Sequence, residues 1–428
     1  LALAIVVDYF AAILIEKNKD KKKSIFLLVS IISTCLILFV FKYYNFFTGN
    51  LTNLANFLGW NYSLKTLSLV LPIGLSFHTF QSLSYVIEVY RGRQKVEKNF
   101  MVYSLYVMFY PQLVAGPIER PYNLLHQFYE KHKFEYERVV DGLKLMLWGL
   151  FLKAVIADRL AIVVNTIYNN PANYTGIPLI LATIFFAFQI FCDFAGYSTI
   201  AIGAARVMGF KLMQNFNRPY LSSSISEFWR RWHISLSTWF RDYVYIPLGG
   251  NRVRISRFYF NLFIVFLISG LWHGANWTFI IWGALHGFYM VSSYLTTNLR
   301  KKLVNLTKID RFPIIYRFFK IIFIFVLVCI AWIFFRANSL SDAFYILTHL
   351  FSGISFSKVY IGIDMTELIL SIGLIVFLML VHLIQDKIDI TNFISKKPLW
   401  VRWGAYLAVA LLILFLSAGG TKFIYFQF

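Results

Sequence analysis

The sequence has little charge, few cysteines and none of the motifs of common soluble enzymes. Asp, Glu, Lys and Arg make up 14% of its 428 residues, whereas a soluble domain has roughly 25%. Its three cysteines are scattered among apolar runs, which indicates neither a disulfide framework nor a zinc-ligand spacing. The patterns GxSxG and GxxxxGK[ST] do not occur, so neither a serine hydrolase nor an ATP-driven transporter is indicated.

Apolar runs of membrane length fill the chain instead. Hydrophobic residues make up 59% of the sequence, against about 45–50% in soluble domains. A spanning helix needs ~17–25 mostly apolar residues. Runs near that length occupy residues 24–40, 177–191, 321–335, 368–384 and 403–417. The sequence therefore predicts an all-α polytopic membrane protein, and a secretory signal peptide is not evident.

The organisation along the chain indicates a single integral-membrane domain over residues 1–428. We find no long-period repeat, low-complexity tract or linker in it. The chain starts at Leu1 rather than at a methionine, and its first apolar run, 1–15, is short for a span. We therefore expect an N-terminal piece of one or two helices to be missing.

The formal net charge of +21 lies mostly in short loops between the apolar runs. Lys and Arg accumulate in cytoplasmic loops of membrane proteins, so nucleic acid is not an expected partner. The basic loops predicted to lie inside are 16–23, 91–98, 206–257, 300–320 and 386–402.

This topology restricts the first half of the chain. If runs 100–118 and 143–165 were both full spans, the basic segment 206–257 would lie outside the cytoplasm, against the charge pattern. Run 100–118 contains Pro111 and Pro117, and such breaks at membrane depth need surrounding protein or water. We therefore predict a broken or re-entrant segment there.

The cytoplasmic basic segment 206–257 contains an amphipathic stretch, 224–246. Ser224 and Glu227 have the spacing of a capping box, and apolar residues recur from there with a helical period. Arginines interrupt the apolar positions, so the stretch is too polar to span. It predicts an interfacial or inward-dipping helix whose aromatic face includes Trp229 and His233.

Three of the eight histidines are candidates for chemistry because ionisable groups at membrane depth are rare: His233, His273 and His286. Burial disfavours the imidazolium form, so a dry histidine is neutral. A neutral imidazole can act as a general base for a hydroxyl, which suits acyl transfer from a thioester. A lone buried histidine is more often a hydrogen-bonded core residue, and that alternative stays open for each. No cysteine or carboxylate cluster indicates a metal site.

His273 has the most unusual surroundings of the three. It lies in the stretch SGLWHGANW, and we expect it to begin the next crossing after the amphipathic helix. Glycines flank it, which allows close backbone approach or a helix break. The neighbours that can contribute hydrogen bonds are Trp272, Asn276 and Trp277.

Five stretches of the sequence form a distinctive set: LPIGLSFHTFQSLSYVIEVYRG, FYPQLVAGPIER, FCDFAGYSTIAIGAARVMGF, NFNRPYLSSSISEFWRRWHISLSTWFRDYVYIPLGGNR and SGLWHGANWTFIIWGALHG. Together they resemble the membrane-bound O-acyltransferase family, in its branch of alginate-acetylating and peptidoglycan-acetylating membrane proteins. The resemblance runs from near residue 1 to 428. It implies a ring of tilted helices around a central tunnel, with re-entrant and interfacial helices.

The resemblance also assigns roles to the candidate residues. His273 corresponds to the family's essential catalytic histidine, and His233 to a histidine at the cytoplasmic approach. We expect His273 to serve as general base and His233 to orient the donor or to hold a second essential role. The residues expected to bind or shape the donor site are Arg230, Arg231, Trp232, Trp272, Asn276 and Trp277. The arginines suit an acidic thioester such as a phosphopantetheine donor, although positive-inside charge alone also explains them.

The leading functional prediction is a membrane O-acetyltransferase in the bacterial cytoplasmic membrane. It would take acetyl from a cytoplasmic thioester, acetyl-CoA or another, with no bound cofactor. It would pass the acetyl group across the bilayer for O-acetylation of an alginate-like polysaccharide, another exopolysaccharide or peptidoglycan. A separate extracytoplasmic acetyltransferase is the expected partner.

Two alternatives stay open. Transfer of D-alanine to teichoic acid fits the same core motifs. A non-catalytic transporter or scaffold belongs to another class, and a transporter should show paired carboxylates in its spans or a repeat of halves. The acids at membrane depth, Asp8, Glu88 and Asp193, are isolated in sequence, and we expect Asp193 to pair with a basic residue.

Overall fold

A computed structural model describes residues 2–18, 20–60, 62, 65–69, 72, 74–113, 116–353, 361–420 and 423. These residues form helices and connections without any β-strand. The predicted all-α fold is therefore confirmed. In lipid each backbone donor and acceptor must be satisfied within its own segment or by a closed barrel, which explains why apolar runs of this length fold as helices.

Nineteen α-helices occur in the described residues. They are α1 (Ala2–Lys17), α2 (Asp20–Leu38), α3 (Tyr44–Phe57), α4 (Leu75–Tyr90), α5 (Phe100–Val107), α6 (Pro121–Leu124), α7 (Tyr136–Leu150), α8 (Asp158–Tyr168), α9 (Ile177–Val207), α10 (Ile225–Arg231), α11 (Ile234–Phe240), α12 (Ile255–His273), α13 (Trp277–Leu295), α14 (Thr297–Thr307), α15 (Pro313–Arg336), α16 (Leu340–His349), α17 (Met365–Gln385), α18 (Ile390–Ser395) and α19 (Leu399–Leu416).

Several helical stretches are long and apolar enough to cross a membrane. Within the described ranges six qualify by length and composition: Lys21–Phe57, Ile177–Val207, Ile255–His273, Pro313–Arg336, Met365–Gln385 and Leu399–Leu416. The chain is thus a multi-pass membrane protein, as predicted. The ring around a tunnel stays a prediction.

The chain folds into two compact units. The first contains residues 1–143, 201–213 and 274–276, and the second contains 144–200, 214–273 and 277–428. In the first unit α1, α2 and α4 pack together. They enclose Asp8, whose carboxylate accepts hydrogen bonds from Ser30 and Thr34. Such bonds compensate the cost of burying a carboxylate.

The predicted break in run 100–118 is present. Helix α5 begins at the cap residue Asn99, whose side chain accepts the amide of Met101, and it ends at Val107. Turns follow at residues 110–113, and residues 114–115 lie outside the described part. The hydroxyl of Tyr106 donates to the carbonyl of Glu119 at 2.9 Å, which fixes the returning chain against α5.

In the second unit α12 and α13 pack closely against each other. Gly270 and Gly283 face each other there, and a Cβ added to Gly270 would lie 3.0 Å from the Cα of Gly283. Small residues at a membrane helix interface let the two backbones approach closely. Gly270, one turn before His273, therefore brings α13 beside the histidine.

In the same unit Asp193 forms an ion pair with a basic residue, as expected from the sequence. Lys153 lies 2.6 Å from a carboxylate oxygen of Asp193 and 2.7 Å from one of Asp158. Lys153 belongs to a π-helical stretch, Phe151–Ala157, that separates α7 from α8.

The prediction of one helix over 224–246 is wrong. Ser224 caps the predicted start and accepts the amide of Glu227, but α10 ends at Arg231. His233 then has φ of 41°, in the left-handed region, and α11 begins at the next residue. Because the chain turns at His233, Trp229 and His233 do not share one helical face.

Candidate active site

His233 lies at the turn between α10 and α11, and it is buried. A positive φ is unusual for a residue with a side chain and needs support from its surroundings. The support comes from the non-helical segment upstream, where the carbonyl of Asn215 accepts the amide of Ile234 at 2.8 Å. The turn is therefore fixed by a residue distant in sequence rather than by a local pattern.

The side chain of Asn215 fixes the tautomer of His233. Its Oδ1 accepts the backbone amide of Ser235 at 3.2 Å and the Ser235 hydroxyl at 2.9 Å, while its Nδ2 donates to Ser198 at 3.1 Å. Nδ1 of His233 lies 3.0 Å from the same Oδ1. Because that oxygen only accepts, Nδ1 carries the hydrogen, and in the neutral ring the lone pair lies on Nε2.

The neutral form of His233 is favoured by its surroundings. Burial holds the pKa of its imidazole well below the ordinary value of 6.5, and electrostatic interaction with the nearby His273 lowers that pKa further. The ring of Phe194 meets it edge-on at 4.6 Å between centroids. His233 is thus a hydrogen-bonded imidazole with a basic nitrogen at neutral pH.

His273 is the last residue of α12, so the expectation that it begins a crossing is wrong. The helix stops there because residues 274–276 form a short connection before α13. Its ring lies between Trp282 of α13 and Phe335 of α15, at 5.0 Å and 5.5 Å between centroids. It is 8% exposed. The last turn of a long helix thus presents His273 to an aromatic enclosure.

Tryptophan rings connect the surroundings of the two histidines. Trp232, the neighbour of His233, lies 5.0 Å from Trp332, and Trp332 stacks on Trp282 at 5.8 Å. Trp282 in turn contacts His273. The two imidazoles therefore belong to one buried aromatic cluster in the second unit, and electrostatic interactions in a buried site are stronger than in water.

His286, to which the family resemblance assigns no role, belongs to the same cluster. Its Nδ1 accepts the indole N–H of Trp229 at 3.3 Å, and its ring lies 5.1 Å from Trp282. The neutral ring must then carry its hydrogen on Nε2, which has no partner among the described residues. The indole nitrogen of Trp282 likewise has no acceptor there.

A cavity of about 340 Å³ lies beside this cluster, bounded by α10 to α13. Trp229 lines it from one side, and Ser269, one turn before His273, lines it from the other. Arg230 and Arg241 also line it, and no acidic side chain of the described residues does so. The cavity is therefore suited to a partly apolar ligand that carries negative charge.

The six residues predicted to bind the donor have different positions. Trp232 is buried in the aromatic cluster, and Arg230 is exposed at the cavity. Arg231 forms an ion pair of 2.7 Å with Glu227. Partial burial acts to raise the pKa of Glu227, but hydrogen bonds from Ser223 and the charge of Arg231 hold it below the ordinary value.

The other three predicted residues follow the end of α12 or lie in its last turn. Trp272 and Asn276 are partly exposed, and Trp277 is 50% exposed at the start of α13. Asn276 belongs to the connection 274–276, which is part of the first unit. The roles predicted for all six donor-site residues stay predictions.

Sequence reasoning missed four residues of the cluster: Asn215, Trp282, Trp332 and Phe335. Trp282 had a detectable signal, because it precedes His286 by four residues and so shares its helical face. The other three come from segments distant in sequence, and no local pattern connects them with the histidines.

The described helices define a polytopic membrane protein whose second unit encloses a cluster of buried histidines and aromatic rings. A model of the MBOAT family, membrane-bound O-acyltransferase, matches residues 96–336. The chain belongs to this family, and the resemblance seen in its motifs is confirmed.

Curated relatives agree with the family. A "Probable alginate O-acetylase AlgI" of Azotobacter vinelandii is 39% identical over 327 residues, which cover 76% of this chain and 62% of that protein. A "Peptidoglycan O-acetyltransferase" of Helicobacter pylori is 36% identical over 372 residues, covering 80% and 68%. A "Teichoic acid D-alanyltransferase" of Bacillus subtilis is 30% identical over 236 residues, covering 52% and 59%. The chain thus spans about three fifths of the alginate relative's length.

Proposed function

We propose that the protein is a membrane O-acetyltransferase of the bacterial cytoplasmic membrane. It takes acetyl from a cytoplasmic thioester, acetyl-CoA, and passes it across the bilayer. The final acceptor is an extracytoplasmic polysaccharide, either alginate-like, another exopolysaccharide or peptidoglycan. The family match and the greater similarity to O-acetylating relatives than to the D-alanyltransferase support this choice.

The observation that carries the proposal is the burial of His273 and His233 in one aromatic cluster. His273 is enclosed by Trp282 and Phe335, and His233 offers Nε2 as its basic nitrogen. A thioester is already activated, so acyl transfer needs mainly proton removal, orientation and stabilisation of the oxyanion. The cluster supplies groups for each of these tasks.

In the proposed reaction the hydroxyl of the group that first accepts the acetyl gives its proton to the neutral imidazole of His273. The oxygen attacks the thioester carbonyl, and a C–O bond forms in a tetrahedral oxyanion. When the oxyanion collapses, the C–S bond breaks and the thiolate takes the proton from the imidazolium. No net charge is created and His273 returns to its neutral form, as general acid–base catalysis requires.

Two buried N–H groups of α13 are suited to the oxyanion, one on Trp282, which contacts His273, and one on His286, which contacts Trp282. They are Nε1 of Trp282 and Nε2 of His286, both buried and without an acceptor among the described residues. A buried donor without a partner costs free energy in the resting protein. A transition-state oxyanion would satisfy such a donor at the moment when charge develops, which is where catalysis gains most.

The donor reaches the cluster through the 340 Å³ cavity. Arg230 lies at that cavity, and within the described ranges it lacks the ion pair that Arg231 makes with Glu227. Guanidinium groups recognise phosphates well, and acetyl-CoA carries several. We further propose that a separate extracytoplasmic acetyltransferase completes the transfer to the polysaccharide.

The test is transfer of label from radioactive acetyl-CoA in isolated membranes, with and without an extracytoplasmic acetyltransferase. His273→Ala should lower transfer by about 10²–10⁴-fold while membrane abundance stays unchanged. His126→Ala, at an exposed histidine, is the matched control and should be neutral.

Other outcomes would identify the alternatives. Label moving only from a D-alanyl carrier thioester would establish D-alanyl transfer instead. Full acetylation by the His273→Ala protein would remove the catalytic assignment, and solute flux by reconstituted protein without any acyl transfer would establish a transporter.

A further inference from the structure

A second, larger cavity is lined in part by Tyr289, whose ring lies 5.8 Å from that of His286. Its volume is about 600 Å³, and it lies within the second unit, between the start of α10 and helices α13, α14 and α15. One wall is apolar over several turns and is formed by Ile225, Phe288, Phe323, Ile324 and Leu327. Four of these residues belong to long apolar helices, so the wall is suited to a hydrocarbon chain.

The other side of the cavity is polar and positively charged. Arg300 and Lys320 line it together with hydroxyl groups of Ser292, Ser293 and Thr296. No Asp or Glu is among its lining residues in the part of the chain that the structure describes. The hydroxyl of Thr296 already donates to the carbonyl of Ser292 at 2.7 Å. Two cations beside the hydroxyls of Ser292 and Ser293, with no acid among the described lining residues, favour an anionic group such as a phosphate.

The helix that carries Arg300 has the character of an interfacial helix. Helix α14 is too short and too polar to span, yet it exposes Leu299, Leu303 and Leu306, the last at 79%. Lysines and an arginine occupy neighbouring positions of α14. A basic helix with exposed leucines lies in the membrane plane at the level of the lipid head groups.

Helix α15 places the apolar wall of the cavity deeper in the membrane than the lipid head groups. Helix α15 begins at Pro313 and is one of the candidate spans. Lys320 lies in its second turn, and Phe323, Ile324 and Leu327 follow along the same cavity. Charge at the head-group level and an apolar wall at acyl depth correspond to the two parts of a phospholipid.

We propose that this cavity binds an anionic glycerophospholipid. Its phosphate lies between Arg300 and Lys320, and one acyl chain lies along Phe323 and Leu327. The cavity also touches Ser223, Ser224 and Ile225, which begin the helix that leads to His233. A bound lipid therefore supports the start of α10.

The test is lipid binding by the full-length purified chain, measured by native mass spectrometry from mixed micelles and by thermal unfolding. The wild-type protein should retain phosphatidylglycerol in preference to phosphatidylcholine. The double variant Arg300→Gln/Lys320→Gln should lose about 25-fold in apparent affinity for phosphatidylglycerol, because each cation contributes about 1 kcal/mol near an anionic head group.

The matched control is Lys301→Gln/Lys302→Gln, which removes the same charge from α14 at exposed positions that do not line the cavity. It should retain the wild-type preference. An equal loss in this control would mean general attraction to a basic surface and would overturn the proposal. Ser292→Phe, which narrows the cavity from α13, should weaken phosphatidylglycerol binding without any change of charge.

Further arms separate the lipid from other sources of the same chemistry. Stabilisation by inorganic phosphate or glycerol phosphate alone, equal to that by phosphatidylglycerol, would overturn a lipid site. Equal binding of phosphatidylcholine and phosphatidylglycerol would overturn anionic recognition. The proposal would also be overturned if Arg300→Gln/Lys320→Gln abolished binding of an acidic carrier protein but left lipid binding unchanged. None of these readouts depends on acetyl transfer, so a failure here leaves the proposed function untouched.

Discussion

Asn215 holds His233 by a hydrogen bond of 3.0 Å between Oδ1 and Nδ1. The same oxygen accepts two bonds from Ser235, so the amide cannot be reversed without losing both. The bond therefore sets which nitrogen of His233 carries the hydrogen. In the proposed reaction Asn215 would act through His233, as a positioning residue.

Asn215→Asp should change the pH dependence of acetyl transfer. Burial holds the pKa of His233 well below its ordinary value of 6.5, so protonation of His233 should not limit wild-type activity just below that value. A carboxylate at position 215 favours the imidazolium and raises the pKa of His233. The acidic limb of kcat/KM should then move up by about 1–3 pH units.

Ser198→Ala is the control for this variant. It removes the acceptor of Asn215 Nδ2 but leaves Oδ1 on His233, so the acidic limb should stay in place. An Asn215→Asp protein that loses activity equally at every pH would show a structural role for Asn215 rather than control of the His233 proton.

Arg230 and Arg231 should differ in their effect on the thioester donor. Arg230 is exposed at the cavity, whereas Arg231 is paired with Glu227 at 2.7 Å. Arg230→Ala should raise KM for acetyl-CoA by up to about fivefold, as expected for an exposed charge. The effect should shrink as salt increases. Steady-state kinetics at two ionic strengths measure it, and an equal rise of KM for Arg231→Ala would contradict the assignment.

The fold was predictable because lipid leaves a chain few choices. Long apolar runs must form helices, so the all-α polytopic class followed from composition and run length. The start of α10 was predictable too, since Ser224 caps it through a bond within four residues. The break at His233 was not, because apolar periodicity continues through it and the turn depends on Asn215, 18 residues upstream.

The site was predictable only in part, for the same reason. His233 and His273 stood out as polar residues in apolar sequence. Their enclosure comes from Trp332 and Phe335 on α15, about 60 residues beyond His273. Ordinary aromatic residues in an apolar span carry no local signal of such a role.

Gly270→Ala should destabilise the protein. A Cβ at this position would overlap the carbonyl oxygen of Phe279 and press on Gly283, in the contact that positions α13. Overpacking of this kind costs about 1–3 kcal/mol. Gly373→Ala is the matched control, because a Cβ on this glycine of α17 meets nothing within 4 Å.

Thermal unfolding in detergent measures the difference between the two glycine variants. The melting temperature of Gly270→Ala should fall, and that of Gly373→Ala should stay or rise, since alanine favours helix over glycine. Equal melting temperatures would show that the contact of α12 and α13 relaxes without cost.

Trp282→Phe should lower kcat while it leaves KM for the donor close to the wild-type value. The substitution keeps an aromatic ring between His273 and His286, which lie 5.0 Å and 5.1 Å from the indole, but it removes the buried N–H. Loss of one oxyanion donor costs about 10²–10³-fold in kcat. An interaction made only in the transition state acts on kcat rather than on KM.

Trp148→Phe is the control for removing an indole N–H from a stacked tryptophan, since Trp148 stacks on Phe151 at 5.3 Å. Its kinetics should match those of the wild-type protein. A rise of KM with unchanged kcat in Trp282→Phe would make Trp282 a wall of the donor site. In that case, of the two proposed donors, Nε2 of His286 would bind the oxyanion. His286→Phe would then be the variant expected to lower kcat.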